Sequence, residues 1–268
     1  MRLALLGSVV EVRADEPVAT EVARLFDPAL FDPALFDPAL FGSPEPHLLV
    51  TASWAKSWTV TGPQGSLGGT SDGHALELVL AQVNAAAIAG CAGFAVHAGV
   101  VAREGRALAL PGVSGAGKST LVASLLQAGW DYVSDEALVA DRDTAALTAY
   151  PKPLTLLTWS LQRLGLDPPP AGRQERSLRV SELGAHVAEG PLRLARIVLP
   201  RRGPGPAALT PLHRADAAME LLTHSFNHWT DPAGSLRTAA ALVRGSDTWT
   251  LTYDDPVEAA EILGRFSS

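Results

Sequence analysis

The chain has 268 residues, of which 47% are hydrophobic and 18% charged, so a sizeable core is expected and wholesale disorder is excluded. The net charge of −7 argues against a broad nucleic-acid surface, which would need a basic stripe. No apolar run reaches the length of about 18 residues that a membrane-spanning helix requires, so the sequence predicts a soluble, cytoplasmic protein.

Residues 1–92 predict a small α+β region. Residues 2–13 predict a strand, because the charged residues that follow Arg2 and its apolar run argue against a signal peptide. The lone Cys91 allows no intramolecular disulfide, fits a reducing compartment and is expected to be a small core residue. The other predicted elements are a short helix at 18–26, strands at 47–51 and 57–61, a Gly/Ser-rich loop at 63–73 and a helix at 75–91.

Within this region the sequence FDPAL occurs three times without interruption, at 26–30, 31–35 and 36–40, and is closed by Phe41. A proline at every fifth residue forbids a continuous helix, and Asp-Pro pairs favour successive turns. The repeats are either a Phe/Leu-rich docking segment or a duplication within an exposed loop. We favour the duplication, because loops tolerate insertions at low cost.

Residues 93–268 predict an α/β region with a hairpin at its start. Residues 94–102 and 107–110 predict two strands joined by a polar turn, and 120–127 predict a helix that Gly129 ends. The further predicted elements are strands at 132–133 and 138–140, a helix at 154–164, a mobile loop at 165–177, a strand at 194–199, helices at 215–228 and 236–243, a strand at 248–253 and a helix from 255 to 266.

The segment between the hairpin and the next helix matches the phosphate-loop pattern GxxxxGKS. Glycines let backbone N–H groups point at phosphate oxygens, and the helix that follows adds its positive end. Lys118 is expected to reach the β- and γ-phosphates, and Ser119 to offer its hydroxyl to Mg²⁺. The predicted ATP-binding residues are Gly112, Val113, Ser114, Gly115, Ala116, Gly117, Lys118, Ser119 and Thr120.

Two further features bear on the reaction. Asp135 and Glu136 follow a short strand, where one carboxylate can act as general base and the other can hold Mg²⁺, or where both are merely charges of a solvated turn. His97 lies in the apolar strand FAVHAGVV, as a core histidine or as a residue near the phosphates. Arg201 and Arg202 follow a strand and are either surface charges or stabilise the transferring phosphate, with Lys152 as a weaker candidate.

The stretch at 97–141 resembles the catalytic domain of HPr kinase/phosphorylase, a relative of ATP-type phosphoenolpyruvate carboxykinase. A histidine in a strand, a hairpin, a GxSGxGKS loop, a helix, a glycine and an acidic pair occur at matching spacing. The resemblance implies a mixed sheet flanked by helices over 93–268, with 1–92 as an α+β addition that does not look like the family's N-terminal domain. It also implies Asp135 as the base, Glu136 as the metal-associated acid, His97 as an active-site histidine and a homo-oligomer.

These features together predict an ATP- and Mg²⁺-dependent kinase that phosphorylates a hydroxyl, in particular a serine of a peptide or small protein. The chain looks closer to shortened HPr-kinase-like proteins that modify natural-product precursor peptides. The family's downstream Glu–aliphatic–Arg–Gly signature, which is tied to the reverse reaction, is not recognisable, so no dephosphorylation is expected. The alternatives are a small-molecule kinase with the same machinery, a P-loop ATPase or nucleotide-sensing module, and a weakly catalytic scaffold that keeps ATP as a structural ligand.

Overall fold

The computed structural model describes residues 1–26 and 48–265. Predictions for most of the FDPAL repeats, for His47 and for the last residue of the final helix lie outside these ranges. The chain divides into two compact units, Met1–Ala92 and Gly93–Ser268, called here the N-terminal and the C-terminal unit. Both are mixed α/β structures in which helices flank a mixed sheet.

The N-terminal unit is built on a five-stranded sheet with the order β1-β2-β3-β4-β5. The β2–β3 pair is parallel and the other pairs are antiparallel. The buried residues of α2 include Leu76, Val79 and Val83, which place this face of the helix in the core. The strands are β1 (Arg2–Leu5), β2 (Ser8–Ala14), β3 (Leu48–Trp54), β4 (Trp58–Gly62) and β5 (Gly65–Gly69), and the helices are α1 (Val18–Leu25) and α2 (Asp72–Ala89).

Two predictions for this unit were wrong in detail. The single strand predicted at 2–13 is a hairpin, because Leu6 and Gly7 adopt φ values of 48° and 89° and turn the chain back. The predicted loop at 63–73 contains β5, whose glycine-rich sequence lacks the β-branched residues that usually signal a strand.

The C-terminal unit contains a large mixed sheet with the order β10-β9-β6-β7-β13-β15-β14, in which β8 also pairs with β6. Strands β7, β13 and β15 run parallel, and β6 is antiparallel to β7. The strands are β6 (Phe94–Arg103), β7 (Arg106–Pro111), β8 (Asp131–Ser134), β9 (Ala137–Ala140), β10 (Leu147–Thr148), β13 (Arg193–Arg202), β14 (Ala208–Pro211) and β15 (Asp247–Tyr253), and a separate ribbon pairs β11 (Leu154–Leu157) with β12 (Glu175–Leu178).

Helices cover both faces of this sheet. Alternate residues of β7 belong to different cores: Leu108 and Leu110 pack with the face that carries α3 and α7, and Ala107 and Ala109 with the face that carries α5 and α6. The helices are α3 (Lys118–Gln127), α4 (Thr158–Arg163), α5 (Arg214–Thr223), α6 (Pro232–Arg244) and α7 (Pro256–Arg265), with 3₁₀ turns at Val180–Leu183 and His228–Thr230.

Three predictions for this unit need correction. The helix predicted at 154–164 is the strand β11 followed by the short helix α4, because the run of apolar residues is compatible with either period. The loop predicted at 165–177 ends early, since β12 begins at Glu175 to pair with β11. The helix predicted at 215–228 stops at Thr223, because the chain beyond it pairs with β6, where the Phe226 N–H donates to the Ala95 carbonyl.

Candidate functional site

The topology of the C-terminal unit brings the predicted site to one edge of the large sheet. Because β7, β13 and β15 are parallel, the phosphate-loop segment, Arg202 and Tyr253 all follow or end strands at the same edge. The antiparallel strand β6 begins there, which places His97 at this edge, and β8 ends there just before Asp135. The carboxyl ends of strands in open α/β sheets are where ligands generally bind.

The phosphate-loop segment lies between β7 and α3, as the motif requires. Gly115 and Gly117 have φ values of 81° and 87°, a conformation that residues with a Cβ atom rarely adopt. Gly117 is also closely packed, since a Cβ there would lie 2.4 Å from the Tyr253 hydroxyl oxygen. The first N–H groups of α3, beginning at Lys118, have no intrahelical acceptors and make the loop a potential anion site.

The Lys118 ammonium is held inside the loop. Its Nζ donates to the carbonyl oxygens of Gly112 and Val113, at 2.9 and 2.7 Å, and lies 3.0 Å from His97 Nε2. Burial lowers the pKa of Lys118 to about 8, against the opposing effect of the Glu136 and Asp135 carboxylates. An ammonium has three N–H donors, so these three acceptors account for all of them.

His97 connects Lys118 to Glu136. Its Nδ1 lies 3.1 Å from the Glu136 carbonyl oxygen and 3.3 Å from Glu136 Oε1, and its ring packs edge-on against Phe226. This pattern fits the tautomer with the proton on Nδ1 and a free lone pair on Nε2 toward Lys118. His97 is therefore not a core histidine, because it belongs to the polar network of the loop.

Asp135 is nearly buried and is surrounded by donors. The Ser119 hydroxyl donates to Oδ2 at 3.0 Å, and the Tyr132 hydroxyl donates to Oδ1 at 2.8 Å. The Lys152 ammonium also lies 2.8 Å from Oδ1. Only 4% of the Asp135 side chain is exposed, against 23% for Glu136. The acidic pair is therefore not a solvated turn, and its two members occupy different environments.

Lys152, a weaker candidate in the sequence, lies in direct contact with Asp135. Burial acts to lower its pKa, but Asp135 and Glu136 outweigh this effect, and the pKa of Lys152 is raised. The Tyr132 hydroxyl oxygen also lies 3.1 Å from the Lys152 carbonyl oxygen, so β8 is close to the backbone of this segment as well. The flanking prolines, Pro151 and Pro153, were the only sequence signal that this lysine is held in place.

The structure separates the two candidate arginines. Arg201 and Arg202 lie inside β13, so their side chains leave opposite faces of the sheet. Arg201 extends to the Glu220 carboxylate on α5 at 3.5 Å and does not reach the cleft beside the loop. Arg202 lines this cleft, with its guanidinium 4.6 Å from the centre of the Trp159 ring.

The cleft beside the loop has a volume of about 260 Å³. Thr120 lines it but turns its hydroxyl to Ser160 of α4 at 2.8 Å. Trp159 and Tyr253 were not identified from the sequence, because both lie far from the motif in the chain and only the tertiary fold brings them close. Tyr132 is only three residues before Asp135, but the sequence showed it only as part of a strand. The lining residues are His97, Ser114, Gly115, Gly117, Lys118, Ser119, Thr120, Asp135, Glu136, Thr155, Leu156, Leu157, Trp159, Ser160 and Arg202.

The described residues offer two oxygen ligands side by side for a cation, the Ser119 hydroxyl and the Asp135 carboxylate. No group of three or more His, Cys, Asp or Glu residues suited to a metal occurs within 1–26 and 48–265. This combination fits Mg²⁺, which proteins commonly hold through one or two side chains together with substrate phosphates and water.

Comparison with protein-family models, curated proteins and solved structures finds no match. The interpretation of the site therefore depends on its own geometry. None of the helices in the described ranges combines the length and the apolar character needed to cross a bilayer.

The packing of Gly117 gives a first prediction. Gly117→Ala and Gly115→Ala both force alanine into a left-handed conformation, at a cost of about 1–2 kcal/mol each. Only the first adds a clash with the Tyr253 hydroxyl, because no atom lies within 4 Å of a Cβ at Gly115. We expect Gly117→Ala to lower the free energy of unfolding more than Gly115→Ala, and Tyr253→Phe to recover part of the difference. Equal losses, measured by chemical denaturation with Tyr253→Phe alone as control, would contradict this packing.

The pKa of Lys118 gives a second prediction. The folded chain releases this proton near pH 8, whereas the unfolded chain keeps it up to about pH 10.5. The unfolded state thus binds more protons between these values, and the free energy of unfolding gains a positive contribution as the pH rises. The difference in this free energy between the wild type and Lys118→Met is expected to increase from pH 8 to 10.5. A difference that stays constant over this range would show that Lys118 is not desolvated.

Proposed function

We propose that this protein is an ATP- and Mg²⁺-dependent cytoplasmic kinase that transfers the γ-phosphoryl group to a hydroxyl, in particular a serine of a peptide or small protein. On this proposal the C-terminal unit has the P-loop fold of HPr kinase and phosphoenolpyruvate carboxykinase. The observation that carries it is the arrangement of one cleft, in which the phosphate loop faces His97 and the carboxylates of Asp135 and Glu136.

The loop supplies what a triphosphate needs. The first backbone N–H groups of α3 have no intrahelical acceptors and can donate to phosphate oxygens. The Lys118 ammonium lies at the centre of the loop, and the Arg202 guanidinium lies at its side. Two fixed cations next to free N–H groups stabilise the negative charge that spreads over a phosphoryl group during transfer.

Ser119 and Asp135 are the residues that would hold Mg²⁺. Their oxygens are 3.0 Å apart, and Lys152 and Tyr132 fix the orientation of the carboxylate from the other side. Bound there, the ion would supply positive charge that offsets the negative charge developing on the phosphates during transfer. This assigns Asp135 to the metal, whereas the resemblance assigned it to the acceptor.

Glu136 is the better placed of the two acids to act on the acceptor. Both oxygens of Asp135 already accept hydrogen bonds from protein donors, while the Glu136 carboxylate is more exposed and contacts His97 Nδ1. In the proposed step Glu136 takes the proton of the acceptor hydroxyl as its oxygen bonds to the γ-phosphorus. The bond from that phosphorus to the bridging oxygen breaks, and ADP leaves with the electron pair.

A transfer assay tests the proposal. The purified protein is incubated with ATP labelled in the γ-phosphate, Mg²⁺ and a degenerate serine peptide library, with alanine in place of serine as the matched control. Label in the serine library alone is expected, and mass spectrometry locates it. Label transferred to small hydroxyl compounds but not to peptides would indicate a small-molecule kinase. ADP formation without any labelled acceptor would indicate an ATPase, and no ADP at all would contradict catalysis.

The acidic pair gives a prediction with distinct outcomes for its two members. Glu136→Gln is expected to keep Mg²⁺-dependent ATP binding and to lose transfer by about 100-fold or more, the scale of a lost general base. Asp135→Asn is expected to raise the Mg²⁺ concentration required for ATP binding, so that added Mg²⁺ recovers part of the activity. Asp143→Asn, in an exposed turn, is the control.

The two measurements are Mg²⁺ titrations of ATP binding and transfer rates at saturating Mg²⁺. If Asp135→Asn binds ATP with an unchanged Mg²⁺ requirement and loses transfer, while Glu136→Gln shifts the requirement, the roles are reversed and Asp135 is the base. If neither variant changes transfer, the acidic pair takes no part in the reaction.

A further inference from the structure

Trp159 is an exposed aromatic side chain at the wall of the cleft. It belongs to the short helix α4, and 46% of its surface is accessible although large aromatic rings are usually buried. The neighbouring Leu157 is 57% exposed and lines the same cleft. The cleft therefore has an apolar wall on one side, in contrast to the charged groups around Lys118.

The Trp159 indole is held in a fixed relation to the phosphate loop. The Arg202 guanidinium lies over its ring, and both Arg202 Nε and the Tyr253 hydroxyl border the same side of Gly117. Tyr253 in turn donates to the carbonyl oxygen of Ala116 in the loop at 3.2 Å. A ring that is anchored in this way loses little conformational entropy when a ligand covers it.

The contacts of two residues in the first turn of α3, Lys118 and Thr120, give the cleft a direction. Lys118, which reaches the β- and γ-phosphates in this type of loop, contacts His97 and thereby Glu136. Thr120 contacts Ser160, the residue next to Trp159. The γ-phosphate end thus lies toward His97 and Glu136, and the opposite end, toward the ribose and base of a nucleotide, lies toward Trp159.

We propose that Trp159 and Leu157 form the nucleobase subsite, with the base stacked on the indole and the Arg202 guanidinium bridging the base and phosphate regions. This inference rests on the proposed function, because it takes the loop to bind a nucleoside triphosphate. Stacking on an indole needs no base-specific hydrogen bond, and the larger purine rings gain more contact than pyrimidines. The subsite therefore selects purine nucleotides by contact area.

Calorimetric binding of ATP and of inorganic tripolyphosphate, both with Mg²⁺, separates the base subsite from the phosphate loop. Trp159→Ala is expected to lower the affinity for ATP about tenfold, within the range measured for one base–aromatic stack, and to leave tripolyphosphate affinity unchanged. Trp159→Phe is expected to retain most of the ATP affinity. Trp229→Ala is the matched control, because this tryptophan is 63% exposed but does not line the cleft.

Unchanged ATP affinity in Trp159→Ala would overturn the base subsite. The exposed indole would then be assigned to binding of the acceptor. An equal loss for ATP and tripolyphosphate would also overturn it, because the substitution would then act on the loop. If the wild type binds ATP and tripolyphosphate with equal affinity, the loop binds phosphates as proposed but the base subsite is wrong. If the wild type binds neither, the proposed function itself fails.

Discussion

The arrangement of the site depends on the buried ammonium of Lys118. Removing a positive charge from water is costly, and burial accordingly lowers the pKa of this lysine to about 8. The site offsets this cost with two loop carbonyls, the lone pair of His97 and the nearby carboxylates of Asp135 and Glu136. These groups belong to three strands: the loop carbonyls follow β7, His97 lies near the start of β6, and the two carboxylates follow β8. The position of one ammonium therefore depends on the register of these three strands.

A second buried cation, the Lys152 ammonium, pairs directly with the Asp135 carboxylate. A buried carboxylate without a partner would be strongly destabilising, and Lys152 together with the Tyr132 hydroxyl prevents this. The pair also fixes which oxygen of Asp135 faces Ser119, because Lys152 and Tyr132 both contact Oδ1 and leave Oδ2 to the Ser119 hydroxyl. A cation between Ser119 and Asp135 would therefore meet a carboxylate that is already oriented.

The sequence predicts the parts of this site that are local in the chain. The hairpin, the loop and α3 are confirmed as elements, because strand alternation, glycine positions and helix periodicity act over a few residues. The ribbon of β11 and β12 was missed, because the apolar residues of β11 are equally compatible with a helix. Only the pairing with β12, which lies about 20 residues further along the chain, makes this segment a strand. Arg201 and Arg202 leave opposite faces of β13 by strand alternation, but long-range pairing decides that the Arg202 face meets the cleft. The tertiary fold also brings Trp159 and Tyr253 to the loop, which no local pattern could have shown.

The hydrogen bonds of Lys118 constrain how any phosphate can bind. All three of its donors are taken by Gly112, Val113 and His97, so a phosphate oxygen gains the ammonium only by displacing one of them. A charged phosphate oxygen is a stronger acceptor than a carbonyl or an imidazole nitrogen, so the exchange is favourable. If His97 is the group displaced, its Nε2 loses a donor while its Nδ1 stays beside Glu136. Occupation of the loop would thereby change the hydrogen bonding of His97, which also contacts the acid proposed to act on the acceptor.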